Sequence, residues 1–70
     1  MKEGGLILVV DDEIQIRRFL KISLESNGYK IIEAETGEEG ITQTATITPD
    51  IIILDLGLPD MDGLDFVKRV

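Results

Sequence analysis

Three aspartates, placed at the ends of two apolar runs, are the residues of this chain best suited to chemistry. Asp11 and Asp12 directly follow Leu6–Val10, and Asp55 directly follows Ile51–Leu54. If these runs are strands of an open parallel sheet, the acids lie in the crevice beyond the carboxyl ends of the strands, where ligands bind. Mg²⁺ prefers carboxylate oxygens and completes its coordination with water and phosphate oxygens. The pattern therefore favours a magnesium site that acts on phosphate.

Each acid also has an ordinary structural explanation. Asp12 has Gln15 three residues later, which is the spacing of a capping box, so we expect Asp12 to be a helix N-cap as well. Asp11 is explained equally well as a solvated loop acid. Asp55 has no helix to cap, and three carboxylates held together repel one another unless a cation or a proton intervenes. Asp55 is therefore the strongest functional candidate.

The elements that position these acids alternate between strand and helix. The sequence predicts three strands, Leu6–Val10, Lys30–Ala34 and Ile51–Leu54, each followed by a helical pattern. The helices are predicted to begin at Asp12, at Thr36 and near Gly63. This order implies right-handed crossovers and a parallel sheet, and thus an α/β fold.

The first helix shows the clearest amphipathic spacing. Its predicted core face comprises Ile16, Phe19, Leu20, Ser23 and Leu24. On another side lie Ile14, Arg18 and Ile22. The basic residues Arg17, Arg18 and Lys21 are expected to form a solvated face. Asn27-Gly28 is expected to end this helix, because glycine readily adopts the left-handed conformation of a helix cap.

Composition excludes several classes of function. The chain has 70 residues, a net charge of −7, no cysteine and no histidine. Disulfides, thiolate metal sites and a phosphohistidine on this chain are thereby excluded. An acidic chain is also a poor nucleic-acid binder. No apolar run approaches the roughly 18 residues of a membrane span, and residues 1–5 are too short and too acidic for a secretory signal. We expect a cytoplasmic protein with no membrane partner.

The length indicates an incomplete domain. A complete α/β domain usually has about 100–150 residues, and residues 64–70 begin a helix without a stop signal. We therefore expect residues 1–70 to be the amino-terminal part of a larger domain.

Three alternative sequence motifs do not match this chain. A dinucleotide fold requires G-x-G-x-x-G after the first strand, where this chain has DDE at residues 11–13. A calcium loop with Gly63 as its invariant glycine would place Leu58 and Arg69 at ligand positions. A phosphatase of the haloacid dehalogenase type requires a second aspartate two residues after the first, where this chain has Gly57; it remains a distant alternative.

Two segments carry a specific resemblance, ILVVDDE at residues 7–13 and DLGLPDMDG at residues 55–63. Together they resemble the amino-terminal part of a bacterial two-component response regulator receiver domain. IRRFL at residues 16–20 and DLGLPD at residues 55–60 narrow the resemblance to transcription regulators of the OmpR/PhoB type. The resemblance implies a flavodoxin-like (βα)5 fold, of which this chain holds the first three βα units with strand order 2-1-3.

The resemblance also implies residue roles. Asp55 would be the phosphoacceptor, taking a phosphoryl group from a phosphohistidine of a sensor histidine kinase, so the domain takes part in its own phosphorylation without being an enzyme in the usual sense. Asp12 would be the main Mg²⁺ ligand, helped by Asp11 and by the backbone carbonyl of Gly57. The loop would be shaped by Pro59 and Gly63, and the kinase would dock near Ile14, Arg18 and Ile22.

Other parts of the family pattern are missing from these 70 residues. The family places a Thr or Ser after a fourth strand and a Lys after a fifth, and it controls transcription through a separate DNA-binding effector domain. No basic residue of this chain stands at a strand end near the acids. The third strand would form an exposed apolar sheet edge, so we expect self-association through that edge. The alternative to a phosphoacceptor is a receiver-like interaction module that is not phosphorylated.

Overall fold

The computed structural model describes residues 4–70 as three strands and three helices. In chain order these are β1 (Leu6–Val10), α1 (Ile14–Glu25), β2 (Lys30–Ala34), α2 (Gly37–Ile47), β3 (Ile51–Leu54) and α3 (Gly63–Arg69). All three strands have the predicted bounds. Residues 1–3, which belong to the segment considered above as a secretory signal, lie outside the described part.

The strands form one parallel sheet in the order β2-β1-β3, as the resemblance implied. The register pairs Val10 of β1 with Ala34 of β2 and with Leu54 of β3. Since all three strands end level, the residues that follow β1 and β3 emerge side by side at the same edge. None of the helices in the described part is long and apolar enough to cross a membrane.

The main core lies between the sheet and the pair α2 and α3. Its buried residues are Leu8, Val10, Ala34, Leu58 and Phe66. Gly40 lets α2 approach the sheet closely, because a Cβ at this position would lie 2.8 Å from a methyl group of Val10 and 2.9 Å from the ring of Phe66. Both of these neighbours are fully buried and have little room to move. The fit of α2 on the sheet therefore depends on glycine.

The predicted start of α1 is wrong by two residues. The helix begins at Ile14, and its N-cap is Glu13, which makes no side-chain capping bond. The Asp11 side chain instead accepts a hydrogen bond from the Glu13 N–H at 2.9 Å. Asp12 is therefore not the N-cap, and its carboxylate does not cap α1 as the capping-box spacing suggested. The end of the helix agrees with the prediction, since Gly28 has φ of 91°.

The predicted core face of α1 is also partly wrong. Leu20 and Leu24 are half-buried, but Ile16 and Phe19 are exposed by 42% and 67%. The residue of α1 that is buried is Arg17. Among the described elements, α1 packs mainly on β1 and β2, so the side of the helix that carries Ile16 and Phe19 faces solvent.

A carboxylate cluster at the carboxyl edge of the sheet

Backbone hydrogen bonds hold the acids of β1 and β3 one step beyond the ends of their strands. The Asp55 N–H donates to the Val10 carbonyl at 2.9 Å, and the Asp11 N–H donates to the Ala34 carbonyl at 3.1 Å. The parallel ladder thus continues through both aspartates. Their backbones are as well fixed as those of the strands.

The three predicted acids come together. Asp11, Asp12 and Asp55 each offer a carboxylate oxygen, and these oxygens lie within 4.8 Å of one another. Asp11 and Asp55 are half-buried, whereas Asp12 is exposed. The structure therefore brings together residues that are 44 positions apart in sequence, at the edge where the strand pattern predicted a site.

Local hydrogen bonds leave oxygens of this cluster free for an ion. Asp11 Oδ1 accepts from the Glu13 N–H, and Asp55 Oδ1 accepts from the Gly57 N–H at 2.9 Å. Among residues 4–70, no hydrogen bond to the Oδ2 atom of either carboxylate is found, so this atom is free to bind an ion. Carboxylate oxygens at a solvent-accessible edge, with room for water, are the donor set that Mg²⁺ prefers. The residues present therefore fit a magnesium ion.

The loop after β3 is anchored by Leu58, which is 7% exposed and belongs to the main core. Gly57 and Pro59 on either side are exposed. A Cβ at Gly57 would lie 3.5 Å from Asp55 Oδ1, which is an ordinary contact. Gly63, the first residue of α3, is buried, and a Cβ there would collide with the side chain of Leu56. A side chain at position 63 would therefore require the exposed side chain of Leu56 to move.

Asp60 has a structural role that the sequence did not reveal. Its two carboxylate oxygens accept hydrogen bonds from the N–H groups of Gly37 and Glu38, at 2.8 and 2.9 Å. These bonds, first the one from Gly37 and then the one from Glu38, hold the pKa of Asp60 below its ordinary value of 3.8. The loop after β3 is thereby tied to the start of α2. Asp60 lies 23 residues from Gly37, so no local sequence signal could have shown the contact.

Arg17 is the second residue that sequence reasoning missed. Its Nη1 donates to the backbone carbonyl of Asp11 at 2.7 Å, and its Nε donates to Glu33 at 3.2 Å. Nη2 lies 3.5 Å from a carboxylate oxygen of Glu35. The expectation of a solvated Arg17 is therefore wrong, and its guanidinium reaches the backbone of the β1–α1 segment from α1. Glu33 within an apolar strand was the available signal, because a half-buried acid usually has a cationic partner.

The three residues predicted to form the kinase-docking surface are all exposed to solvent. Ile14 and Ile22 are exposed by 50% and 70%, and Arg18 is exposed. Ile14 and Arg18 also line a groove of about 320 Å³ between α1, β2 and the start of α2. Arg17, which also lines this groove, donates to the backbone carbonyl of Asp11.

Comparison with known proteins gives one family. Residues 7–70 match the family model described as the response regulator receiver domain. The KDP operon transcriptional regulatory protein KdpE of Escherichia coli is 53% identical over 62 residues, which make up 89% of this chain and 28% of KdpE. The chain therefore spans little more than a quarter of the length of this curated relative. The narrower resemblance of residues 16–20 and 55–60 to regulators of this type is confirmed.

Solved structures give the same answer. The chemotaxis response regulator CheY4 of Vibrio cholerae superimposes with a TM-score of 0.91 and 36% identity, over 94% of this chain and 55% of CheY4. The response regulator TrrA of Thermotoga maritima, solved in complex with Mg²⁺ and BeF, has a TM-score of 0.88 and 42% identity. That match covers 93% of this chain and 56% of TrrA. Both likenesses cover more than nine tenths of this chain.

Proposed function

Because the chain belongs to the response regulator receiver domain family, we propose that Asp55 accepts a phosphoryl group from a sensor histidine kinase. The observation that carries this proposal is the meeting of Asp55 with Asp11 and Asp12, whose carboxylate oxygens lie within 4.8 Å. Asp55 is half-buried at the end of β3, where its backbone is fixed but its Oδ2 atom is free. It is the acid of the cluster best placed to attack.

Asp12 and Asp11 are the proposed protein ligands of Mg²⁺, together with Asp55 and the backbone carbonyl of Gly57. When bound, the ion supplies positive charge that offsets the negative charge gathering on the transferred phosphoryl group. The hydrogen bond from the Gly57 N–H to Asp55 Oδ1 keeps the loop close to the acids. Pro59 and Gly63 shape the same loop, Gly63 by allowing close packing against Leu56.

In the proposed transfer, a carboxylate oxygen of Asp55 forms a bond to phosphorus while the bond between phosphorus and the histidine nitrogen breaks. The electron pair of the broken bond stays on the histidine, and the product is an acyl phosphate on Asp55. The step is written for the Asp55 carboxylate, whose oxygen supplies the electron pair of the new bond. Phosphoryl transfer of this kind depends mostly on positioning and charge neutralisation, which a fixed strand end and an acid cluster supply.

The experiment is the intact mass of the chain after incubation with Mg²⁺ and a small acyl-phosphate donor. We expect a gain of one phosphoryl group that requires Mg²⁺ and is lost in Asp55→Asn. Asp65→Asn is the matched control, since Asp65 is an exposed aspartate in α3. A gain that persists in Asp55→Asn would contradict the proposal, whereas unchanged mass in the folded wild-type chain would mean that transfer requires the Thr or Ser and the Lys that the family places after further strands.

The kinase is proposed to dock on the surface of α1 formed by Ile14, Arg18 and Ile22, which we call the α1 docking surface. Its support is exposure close to the acids, and Ile14→Ser should slow transfer from a kinase while leaving phosphorylation by the small donor unchanged. Equal slowing of both reactions would place the defect in the acid site.

We also propose that residues 1–70 are the amino-terminal part of a receiver domain in a cytoplasmic transcription regulator, and that DNA is bound only by a separate effector domain.

A further inference from the structure

We propose that Arg17 is a positioning residue for the metal site, holding the backbone of Asp11 so that the acids of the β1–α1 loop can bind Mg²⁺. The inference rests on the proposed function, because it concerns the same ion. It is carried by the buried guanidinium, which is 5% exposed although it belongs to an otherwise half-exposed helix.

The Asp11 backbone is held from both sides. Its N–H donates to Ala34 at 3.1 Å, and its carbonyl accepts from Arg17 Nη1 at 2.7 Å. The Asp11 side chain in turn accepts from the Glu13 N–H. The short segment between β1 and α1 therefore has a fixed course at its first residue. The directions of both Asp11 and Asp12 follow from that course.

The guanidinium is itself held in place by acids of β2 and of the segment after it. Glu33 accepts from Nε at 3.2 Å, and Glu35 lies 3.5 Å from Nη2. Arg17 thus uses all three of its nitrogens in different directions. A planar group with several fixed donors can do this, whereas the single ammonium group of lysine cannot.

Position and charge predict opposite effects on metal binding. A cation beside the acid cluster repels Mg²⁺, so removal of its charge alone would tighten binding. Loss of a group that orients a ligand residue weakens binding, typically by about 10- to 100-fold. The sign of the change in Mg²⁺ affinity therefore distinguishes a positioning residue from a mere neighbour.

The test compares Arg17→Met, Arg17→Lys and the matched control Lys21→Met, which removes one charge from the same helix one turn further on. The Mg²⁺ dissociation constant is measured by calorimetry at a temperature at which each variant keeps the wild-type circular dichroism. We expect both Arg17 variants to weaken Mg²⁺ binding by about tenfold and Lys21→Met to change it by less than about twofold. Arg17→Lys keeps the charge and the stem, so it stays informative if Arg17→Met does not fold.

A second readout needs no metal. Hydrogen exchange of the Glu13 amide, which is bonded to Asp11 Oδ1, should become about tenfold faster in the Arg17 variants. Unchanged or tighter Mg²⁺ binding in Arg17→Met, with wild-type binding intact, would overturn the inference without touching the proposed function. Absence of Mg²⁺ binding in the folded wild-type chain would overturn both.

Discussion

Of the three acids of the cluster, Asp12 makes the fewest side-chain hydrogen bonds with the rest of the described chain. It is exposed, it does not cap α1, and no side-chain hydrogen bond to it is found among residues 4–70. Asp11 and Asp55, by contrast, each bind a backbone N–H of the following loop. A carboxylate free of local partners can turn toward an ion without breaking anything. This freedom separates the role of Asp12 from the roles of its two neighbours.

Asp12→Asn should therefore weaken Mg²⁺ binding by at least about tenfold and change the thermal stability of the metal-free chain little. Calorimetric titration with Mg²⁺ and a melting curve without it measure the two effects. Glu25→Gln is the control, because it removes one charge at the far end of α1. Equal Mg²⁺ affinities in the two variants would mean that Asp12 acts only through the net charge of the chain.

Two glycines near the site differ in what a methyl group would meet. Gly40→Ala places a Cβ within 3 Å of Val10 and Phe66, both buried, so we expect a net loss of about 1 kcal/mol after the gain in helix propensity. Gly57→Ala meets only Asp55 Oδ1 at 3.5 Å and should be tolerated. Chemical denaturation of both variants tests this contrast. Equal stabilities would show that the core beneath α2 can rearrange.

At the level of elements, the N-terminus of α2 is capped by two side chains, those of Asp60 and Thr36. Asp60 binds the N–H groups of Gly37 and Glu38, and the Thr36 hydroxyl accepts from the Glu39 N–H at 3.1 Å. The N–H of Gly40 donates to the Thr36 carbonyl and so makes the first bond of the regular helical pattern. Helix N-termini leave four N–H groups without intrahelical partners, and side chains satisfy three of them here, those of Gly37, Glu38 and Glu39. One of the two caps comes from the loop that carries Gly57.

The pKa of Asp60, lowered by its bonds to the Gly37 and Glu38 N–H groups, gives this cap a pH dependence. A carboxylate with a lowered folded-state pKa stabilises the fold fully above its ordinary value of 3.8, and this contribution is lost as the pH falls through the folded-state pKa. Asp60→Ala should therefore lower the Tm at neutral pH, and the difference from wild type should shrink in acid below 3.8.

Thr36→Ala is the matched control for the Asp60 experiment. It removes an uncharged cap from the same helix and should cost about 1 kcal/mol at every pH. The two variants together separate loss of a cap from loss of a charge. A Tm difference for Asp60→Ala that stays constant into strong acid would contradict the proposed charge-dependent cap.

The sequence predicted the strands better than the helix surfaces, for a physical reason. A strand buried on both faces reads as a continuous apolar run, and the bounds of β1 and β3 followed from such runs, whereas those of β2 were predicted around its two central isoleucines. The start of α1 was misplaced because Asp11, one residue before the expected cap, binds the Glu13 N–H instead. The burial of Arg17 depends on Glu33 and Glu35 of the β2 region, which are far away in sequence. Contacts of this kind are set by the fold and leave little trace in local spacing.

The carboxylate cluster lies between these two cases. That three acids would meet followed from the rule that parallel strands end at a common edge, and the structure places them within 4.8 Å. The contacts of Arg17 and Asp60 could not be predicted from the sequence, because each joins residues of two separate elements. The meeting of the three acids was thus visible in the sequence, whereas the contacts of Arg17 and Asp60 were not.

For the molecule as a whole, the two outer strands of the sheet differ in how they would meet another chain. In the described part of the chain, β2 and β3 each pair with β1 alone. β2 carries Lys30 and Glu33, and charges on an edge strand discourage pairing with other chains. β3 is Ile-Ile-Ile-Leu, without a charge, and its first residue, Ile51, is 42% exposed. An apolar unpaired edge of this kind is a template for strand addition.

We therefore expect the 70-residue chain to associate through β3, and sedimentation equilibrium over a range of concentrations measures this. Ile51→Lys should weaken association by about tenfold or more, because a charge at the edge must be desolvated on pairing. Ile22→Lys is the matched control, since it makes the same change at a residue of α1 that is 70% exposed. If both variants weaken association equally, the contact is a general apolar one and not strand pairing. A wild-type chain that remains monomeric at high concentration would mean that the short length of β3 is protection enough.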